Sequence, residues 1–307
     1  MFLKIVFKSI ISKIYSPIEN RLRRIEEINE RSLILQSASC RKPFSVKNRL
    51  RDAEFRVFSQ WGEDGIIQYL VAAAEIQSPQ FVEIGVEDYR ESNTRYLAMS
   101  SNWTGLLIDG SARCINDINR QSVTWRHGII ARHAFVDKDN VNSLIAAGGI
   151  RGRVGLLSID IDGNDYWVWE ALNVIEPSIV VIEYNPLWGK EDCVAVPYDP
   201  KFIRSEKHYS NVYYGASLRA LVDLGRRKGY RFVGCNSAGT NAFFLRADID
   251  CKIPSAEVDH EYSEPRFREA RTRSGKLSYC SLEEQRKMLH GLPLIDVRTG
   301  ATITLPV

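Results

Sequence analysis

The chain has 307 residues, enough to bury a full core, and its 44% apolar and 26% charged residues are an ordinary globular make-up. A formal net charge of +3 is too small for a nucleic-acid binder, which concentrates a basic stripe. Six cysteines are scattered without a C-x-x-C pair and no apolar run reaches 18 residues, which argues against a zinc ribbon, a disulfide framework and a membrane-spanning helix, and favours reduced thiols in the cytoplasm.

The first segment, "MFLKIVFKSIISKIY", is interrupted by Lys4, Lys8 and Lys13, and no small-residue cleavage site follows, so a secretory signal is not expected. Phe2, Leu3, Val6, Phe7, Ile10, Ile11 and Ile14 fall near i, i+3, i+4, i+7 spacing, which predicts a basic amphipathic helix. Such a helix either docks on the domain or a protein partner, or lies peripherally on the inner face of the membrane. "IENRLRRIEEINERSLILQ" continues the helix beyond Pro17, and residues 37–54 read as a linker. Residues 1–50 are therefore set apart from a main domain at 51–250 and an extension at 251–307.

Within the main domain the patterning alternates. "GEDGIIQYLVAAAE" predicts a helix, "FVEIGV" a buried strand, "SNTRYLAMSS" a helix and "TGLLIDG" a strand. A short helix at "ARCINDINRQ" follows, after which "SVTWRHGII" and "RHAFVD" compete for the third strand. "VNSLIAAGG" is a helix ending at a glycine pair, "VGLLSIDIDG" a strand, "DYWVWEALNVI" a helix and "SIVVIEYN" a strand. A long insertion runs from Pro186 to about Tyr213, before the amphipathic helix "SLRALVDLGRRKGY". "RFVGCN" and "TNAFFLRAD" then form an antiparallel pair, and the extension carries one helix near "SLEEQRKMLHGL". Near-continuous apolar strands separated by helices predict an α/β fold: a mostly parallel, Rossmann-like seven-stranded sheet with a C-terminal antiparallel hairpin.

In open α/β sheets ligands sit beyond the carboxyl ends of the strands. At the first of these ends, Glu83 precedes Gly85, whose missing side chain lets a ligand approach the backbone. An acid there suits the ammonium of an amino-acid-like ligand, whereas Glu87, Asp88 and Glu91 repel a pyrophosphate. Asp109 ends the second strand, where it suits two ribose hydroxyls or caps the next helix. Asp137 ends the third, where it suits an adenine amino group or an N-cap.

The richest stretch is "SIDIDGNDYW", with Asp160, Asp162, Asn164 and Asp165 in six residues. The neighbouring strand end supplies Glu183 and Asn185. Asp160, Asp162, Glu183 and Asn185 thus form a candidate oxygen-ligand set for magnesium, with hydrogen bonding that needs no metal as the alternative. Asp160 and Asp162 are also candidate catalytic residues, and His208 and His133 candidate bases.

"FSQWGEDGIIQYL", "FVEIGVEDYRESNTRYL", "NWTGLLIDGS" and "LLSIDIDGNDYWVWEAL" together resemble the FkbM-type methyltransferases, in the branch associated with surface-polysaccharide and other glycan biosynthesis. The resemblance covers roughly residues 55–247 and implies a class I methyltransferase fold. It implies that Glu83, Gly85 and Asp109 contact S-adenosylmethionine, and that residues 160–165 lie beside the acceptor. The expected activity is O-methylation of a sugar hydroxyl on a small-molecule or glycan acceptor. Its rivals are a metal-dependent glycosyltransferase using the Asp-x-Asp at 160–162, and a catalytically silent module of a glycan-assembly complex.

Overall fold

The computed structural model describes residues 2–40, 49–266 and 268–304, without the side chains of residues 2–15, 19, 20, 23, 39 and 40. The chain divides into two compact units, Met1–Ser45 and Val46–Val307. In the first, one helix runs from Phe2 to Cys40 with Pro17 inside it. The apolar stripe expected at Phe2, Leu3, Val6, Phe7, Ile10, Ile11 and Ile14 lies outside the described side chains. Farther along, the helix exposes Ile18, Leu22, Ile25, Ile28, Leu33 and Leu35. Among the described residues no helix is long and apolar enough to cross a membrane.

The second unit is built on β1 (Gln80–Ile84), β2 (Thr104–Asp109), β3 (Ile129–His133), β4 (Gly152–Ile159) and β5 (Ile175–Glu183). After the insertion, which holds the two-residue strand β6 (Val194–Ala195), come β7 (Tyr230–Cys235) and β8 (Asn241–Arg246). The main sheet has the order β3-β2-β1-β4-β5-β8-β7. β1 to β5 are parallel, and β8 runs against both β5 and β7. This is the Rossmann-like, mostly parallel seven-stranded arrangement with a C-terminal antiparallel hairpin expected from the sequence.

Alternation along the strands divides the core between the two faces of the sheet. Val82, Ile84, Leu106, Ile108, Leu157, Ile159, Val180 and Ile182 join one apolar cluster with Trp169 and Leu221. Phe81, Leu107, Leu156, Ile179 and Val181 join the other, against Ile66, Leu70 and Leu97 of the covering helices. Glu83, next to the end of β1, and Glu183, at the end of β5, share the parity of this second set and so face the same side.

Three expectations are corrected. Neither competing window holds the third strand: β3 straddles their junction, and residues Ser122–Arg126 are helical. Its outer residues are mostly exposed, so an edge strand lacks the apolar run that betrays its neighbours. The helix of "DYWVWEALNVI" stops at Ala171, and β5 begins at Ile175, earlier than "SIVVIEYN". The extension is also more structured than its polarity suggested. β9 (Pro293–Asp296) pairs with β6 and β10 (Thr302–Thr304) in a small antiparallel sheet. Leu289 and Leu294 pack there with Leu187, Trp188, Phe202 and Tyr213 from the insertion.

Candidate active site

A cavity of about 760 Å³ opens beyond the carboxyl ends of β1, β2, β4 and β5. One half is walled by the turns after β1, β2 and β3, and the other by the β4 and β5 ends, the insertion and the extension.

The first half is organised by Gly85 and two carboxylates. Gly85 has φ +79°, and a Cβ there would lie 1.6 Å from the Asp160 carbonyl oxygen. Only glycine permits both that backbone angle and that contact. Asp109 accepts hydrogen bonds from the backbone N–H groups of Val86 at 3.0 Å, Glu87 at 2.9 Å and Ser111 at 2.7 Å. It therefore fixes the turn after β1 while still lining the cavity. Glu83 is 3% exposed and accepts from the Ser92 hydroxyl at 2.7 Å, the Asn93 N–H at 2.9 Å and the Thr94 hydroxyl. Burial pushes its carboxyl above the ordinary range, against the lowering effect of those donors. Ala134, Phe135 and Val136 line the cavity beside this turn.

Asp137 is not part of the wall. Its Oδ1 accepts from the N–H groups of Asp139 and Asn140, both at 2.8 Å, and so caps the turn that starts the next helix. The adenine role expected for it has no support in this geometry. His208 also lies outside the cavity: its Nδ1 is 2.6 Å from the Ser210 hydroxyl and its ring packs on Tyr209. Burial holds the His208 pKa below its usual value, and the ring is not among the groups that line the cavity where a base was expected. His133 points to the Gly110 carbonyl oxygen at 3.0 Å on the exposed surface.

In the second half the expected ligand set is only partly assembled. Asn185 spends its amide on scaffolding: Nδ2 donates to the Val212 and Tyr214 carbonyls, both at 3.0 Å, and Oδ1 accepts from the Leu187 N–H at 3.0 Å. Asp162, at φ +56°, is ion-paired with Arg204. Arg204 bridges Asp162 to Glu269, stacks 3.7 Å from the Tyr214 ring centroid and donates to the Asn211 carbonyl at 2.6 Å.

Asp160 and Glu183 do come together, with Asp165 as the third member. One oxygen of each lies within 4.8 Å of the others. Asp165 accepts from the N–H groups of Ile161 at 2.8 Å and Gly163 at 2.9 Å. Glu183 is 8% exposed and its Oε2 is buried without a hydrogen-bond partner among the described residues. Burial, then Asp162 and Asp165, push the Asp160 carboxyl well up; burial, then Asp160 and Asp162, do the same to Glu183. A carboxylate with a raised pKa and no donor is well suited to take a proton.

Arg204 and Glu269 went unrecognised in the sequence. Their pairing joins positions far apart in the chain, and no local spacing announces it.

No family model and no curated protein matches the chain. Among solved structures, an O-methyltransferase from Bacillus cereus in complex with SAH is 14% identical, covering 71% of this chain and 89% of that one at a TM-score of 0.39. An S-adenosylmethionine-dependent methyltransferase from Clostridium acetobutylicum ATCC 824 is 12% identical over 60% of this chain and 89% of that one, with a TM-score of 0.38. An O-methyltransferase family protein from Burkholderia thailandensis is 11% identical over 62% and 60%, with a TM-score of 0.35. These likenesses are too distant to carry an argument about activity.

Proposed function

We propose that this protein is an S-adenosylmethionine-dependent O-methyltransferase acting in the cytoplasm on a sugar hydroxyl of a glycan or its precursor. The observation that carries the reading is the pair of carboxylates, Glu83 and Asp109, flanking Gly85 in the cavity wall. The donor molecule has a cationic ammonium and sulfonium, a ribose diol and an adenine ring. Acids at two adjacent strand ends suit the cations and the diol, while Phe135 and Val136 offer an apolar wall for the ring.

When bound, S-adenosylmethionine supplies an electrophilic methyl group. The chain's own residues then have two tasks, alignment and proton removal. Asp160 and Glu183 stand at the acceptor side without hydrogen-bond donors, so their carboxylates can accept the hydroxyl proton as the oxygen–carbon bond forms. The acid-rich wall also argues against a nucleotide-sugar, whose pyrophosphate it repels. Asp162, engaged by Arg204, is poorly placed to share an ion with Asp160 in the glycosyltransferase manner. The resemblance to the FkbM-type glycan branch supports the choice of acceptor.

The test is transfer of tritiated methyl groups from S-adenosylmethionine to a panel of sugars and oligosaccharides. Label that survives acid hydrolysis as an O-methyl sugar supports the reading. Cofactor binding with no sugar methylated would remove the acceptor class and keep the methyltransferase.

A further inference from the structure

We infer that Asp160, Glu183 and Asp165 form a site for a hard divalent cation of the magnesium–calcium class, with Asn241 beside it as a neutral oxygen ligand. This ligand set differs from the one expected in the sequence. Asp162 and Asn185 are excluded by their bonds to Arg204 and to the insertion backbone.

The first argument is spacing. Oxygens from the three acids lie within 4.8 Å of one another. Ligands about 2.4 Å from calcium stand up to about 4.8 Å apart, whereas a magnesium shell at about 2.1 Å needs them within about 4.2 Å, so the spacing as it stands suits calcium more readily. The acids come from two adjacent strand ends and the N-terminus of one helix, Asp165–Ala171. β4 and β5 are in register, with Ile159 opposite Ile182, so Asp160 and Glu183 follow side by side.

The second argument is independent of the acids. Asn241 lies directly across from Glu183 in the β5–β8 pairing, which puts their side chains on one face about 5 Å apart. Its Nδ2 donates to Glu63 at 3.0 Å, which fixes the orientation of the amide. Its Oδ1 is left buried without a donor, in a residue only 7% exposed. Asn164 repeats the pattern on the same cavity wall: Nδ2 donates to the Asp199 carbonyl at 2.7 Å and Oδ1 has no donor. Buried acceptors without donors are rare, because each forfeits the bonds it made in water. Here two amide oxygens and Glu183 Oε2 share one cavity wall, and a cation satisfies acceptors that no donor serves.

Binding of the ion stands apart from methyl transfer, but its role in orienting an acceptor hydroxyl rests on the reading proposed above. The test uses the full chain without cofactor, titrated with Mn2+ and followed by electron paramagnetic resonance and by thermal unfolding. One bound ion per chain and a rise in Tm with Mn2+ are expected, with magnesium and calcium competing. Glu183→Gln and Asp160→Asn should weaken binding at least about tenfold, and Asp162→Asn should leave it nearly unchanged. Both variants remove like-charge repulsion, so they should fold without metal and melt no lower than the parent. Absence of saturable Mn2+ binding, or equal affinity in Glu183→Gln, overturns the site. Ion binding without S-adenosylmethionine binding would refute the methyltransferase and leave the site standing.

Discussion

Gly85 and Asp160 meet backbone to backbone: a Cβ on the glycine would fall 1.6 Å from the Asp160 carbonyl oxygen. The contact joins the β1–β2 side of the cavity to its β4–β5 side, since β1 and β4 end within one residue of it. Gly85→Ala should destabilise the fold by on the order of 3 kcal/mol or more, combining overpacking with a strained positive φ. Gly149 also has a positive φ, +83°, but nothing lies within 4 Å of its would-be Cβ. Gly149→Ala should therefore lose only about 1 kcal/mol. Thermal unfolding of the two variants separates crowding from backbone strain, and equal losses would refute the contact.

Asp109 fixes the turn and faces the cavity at once, because it holds three backbone N–H groups and lines the cavity. Asp109→Ala should weaken S-adenosylmethionine binding by roughly 1.5–3 kcal/mol, the range for hydrogen bonds to a charged group. It should also lower Tm, which a ligand contact alone would not do. Calorimetry beside a melting curve checks both. A folded variant with unchanged affinity would return Asp109 to a capping role only.

Arg204, in the insertion, ties it to the turn after β4 through Asp162 and to the extension through Glu269. Arg204→Ala should open this wall without touching the β1–β2 side. Limited proteolysis should cut faster near residues 262–280, while S-adenosylmethionine affinity stays within about twofold, a change under 0.5 kcal/mol. Unchanged proteolysis would mean that the extension is held elsewhere.

Much of this was legible from the chain, for a physical reason. β1, β2, β4 and β5 are covered on both faces, so their apolar runs are continuous and end abruptly in acids. Glu83, Asp109, Asp160 and Glu183, which line the cavity, could be picked out because a strand end is a local feature. β3 was ambiguous because its pattern includes exposed Arg132 and His133. β6 and β10 are two and three residues long, too short for any period. Asn185 and Asp137 were expected to hold ligands and His208 to act as a base because their residue types fit, but backbone or hydroxyl groups engage all three, in Asn185 from the distant Val212 and Tyr214. Arg204 reaches Asp162 across 42 positions and Glu269 across 65, which only the fold brings together.

Asp64 gives a pH dependence. Its Oδ2 accepts from the N–H groups of Val57, Phe58 and Ser59, and it is 1% exposed. Burial pushes its pKa up to about 6, against the lowering effect of those three bonds. The folded state thus holds this proton over a range where the unfolded chain has released it. Stability from Asp64 is complete below the ordinary carboxyl range and falls as pH rises toward about 6. The loss is on the order of 3 kcal/mol for a shift of roughly two units. Asp64→Asn should flatten this part of the stability–pH curve in urea unfolding. A curve unchanged by the substitution would assign the slope to other groups.

The most direct test of the central claim is calorimetric titration of the full chain with S-adenosylmethionine, run in parallel with a nucleotide-sugar. The account predicts one saturable site per chain for S-adenosylmethionine, weakened in Asp109→Ala, and no binding of the nucleotide-sugar with or without Mn2+. Saturable binding of the nucleotide-sugar in place of S-adenosylmethionine, or of neither, would contradict it.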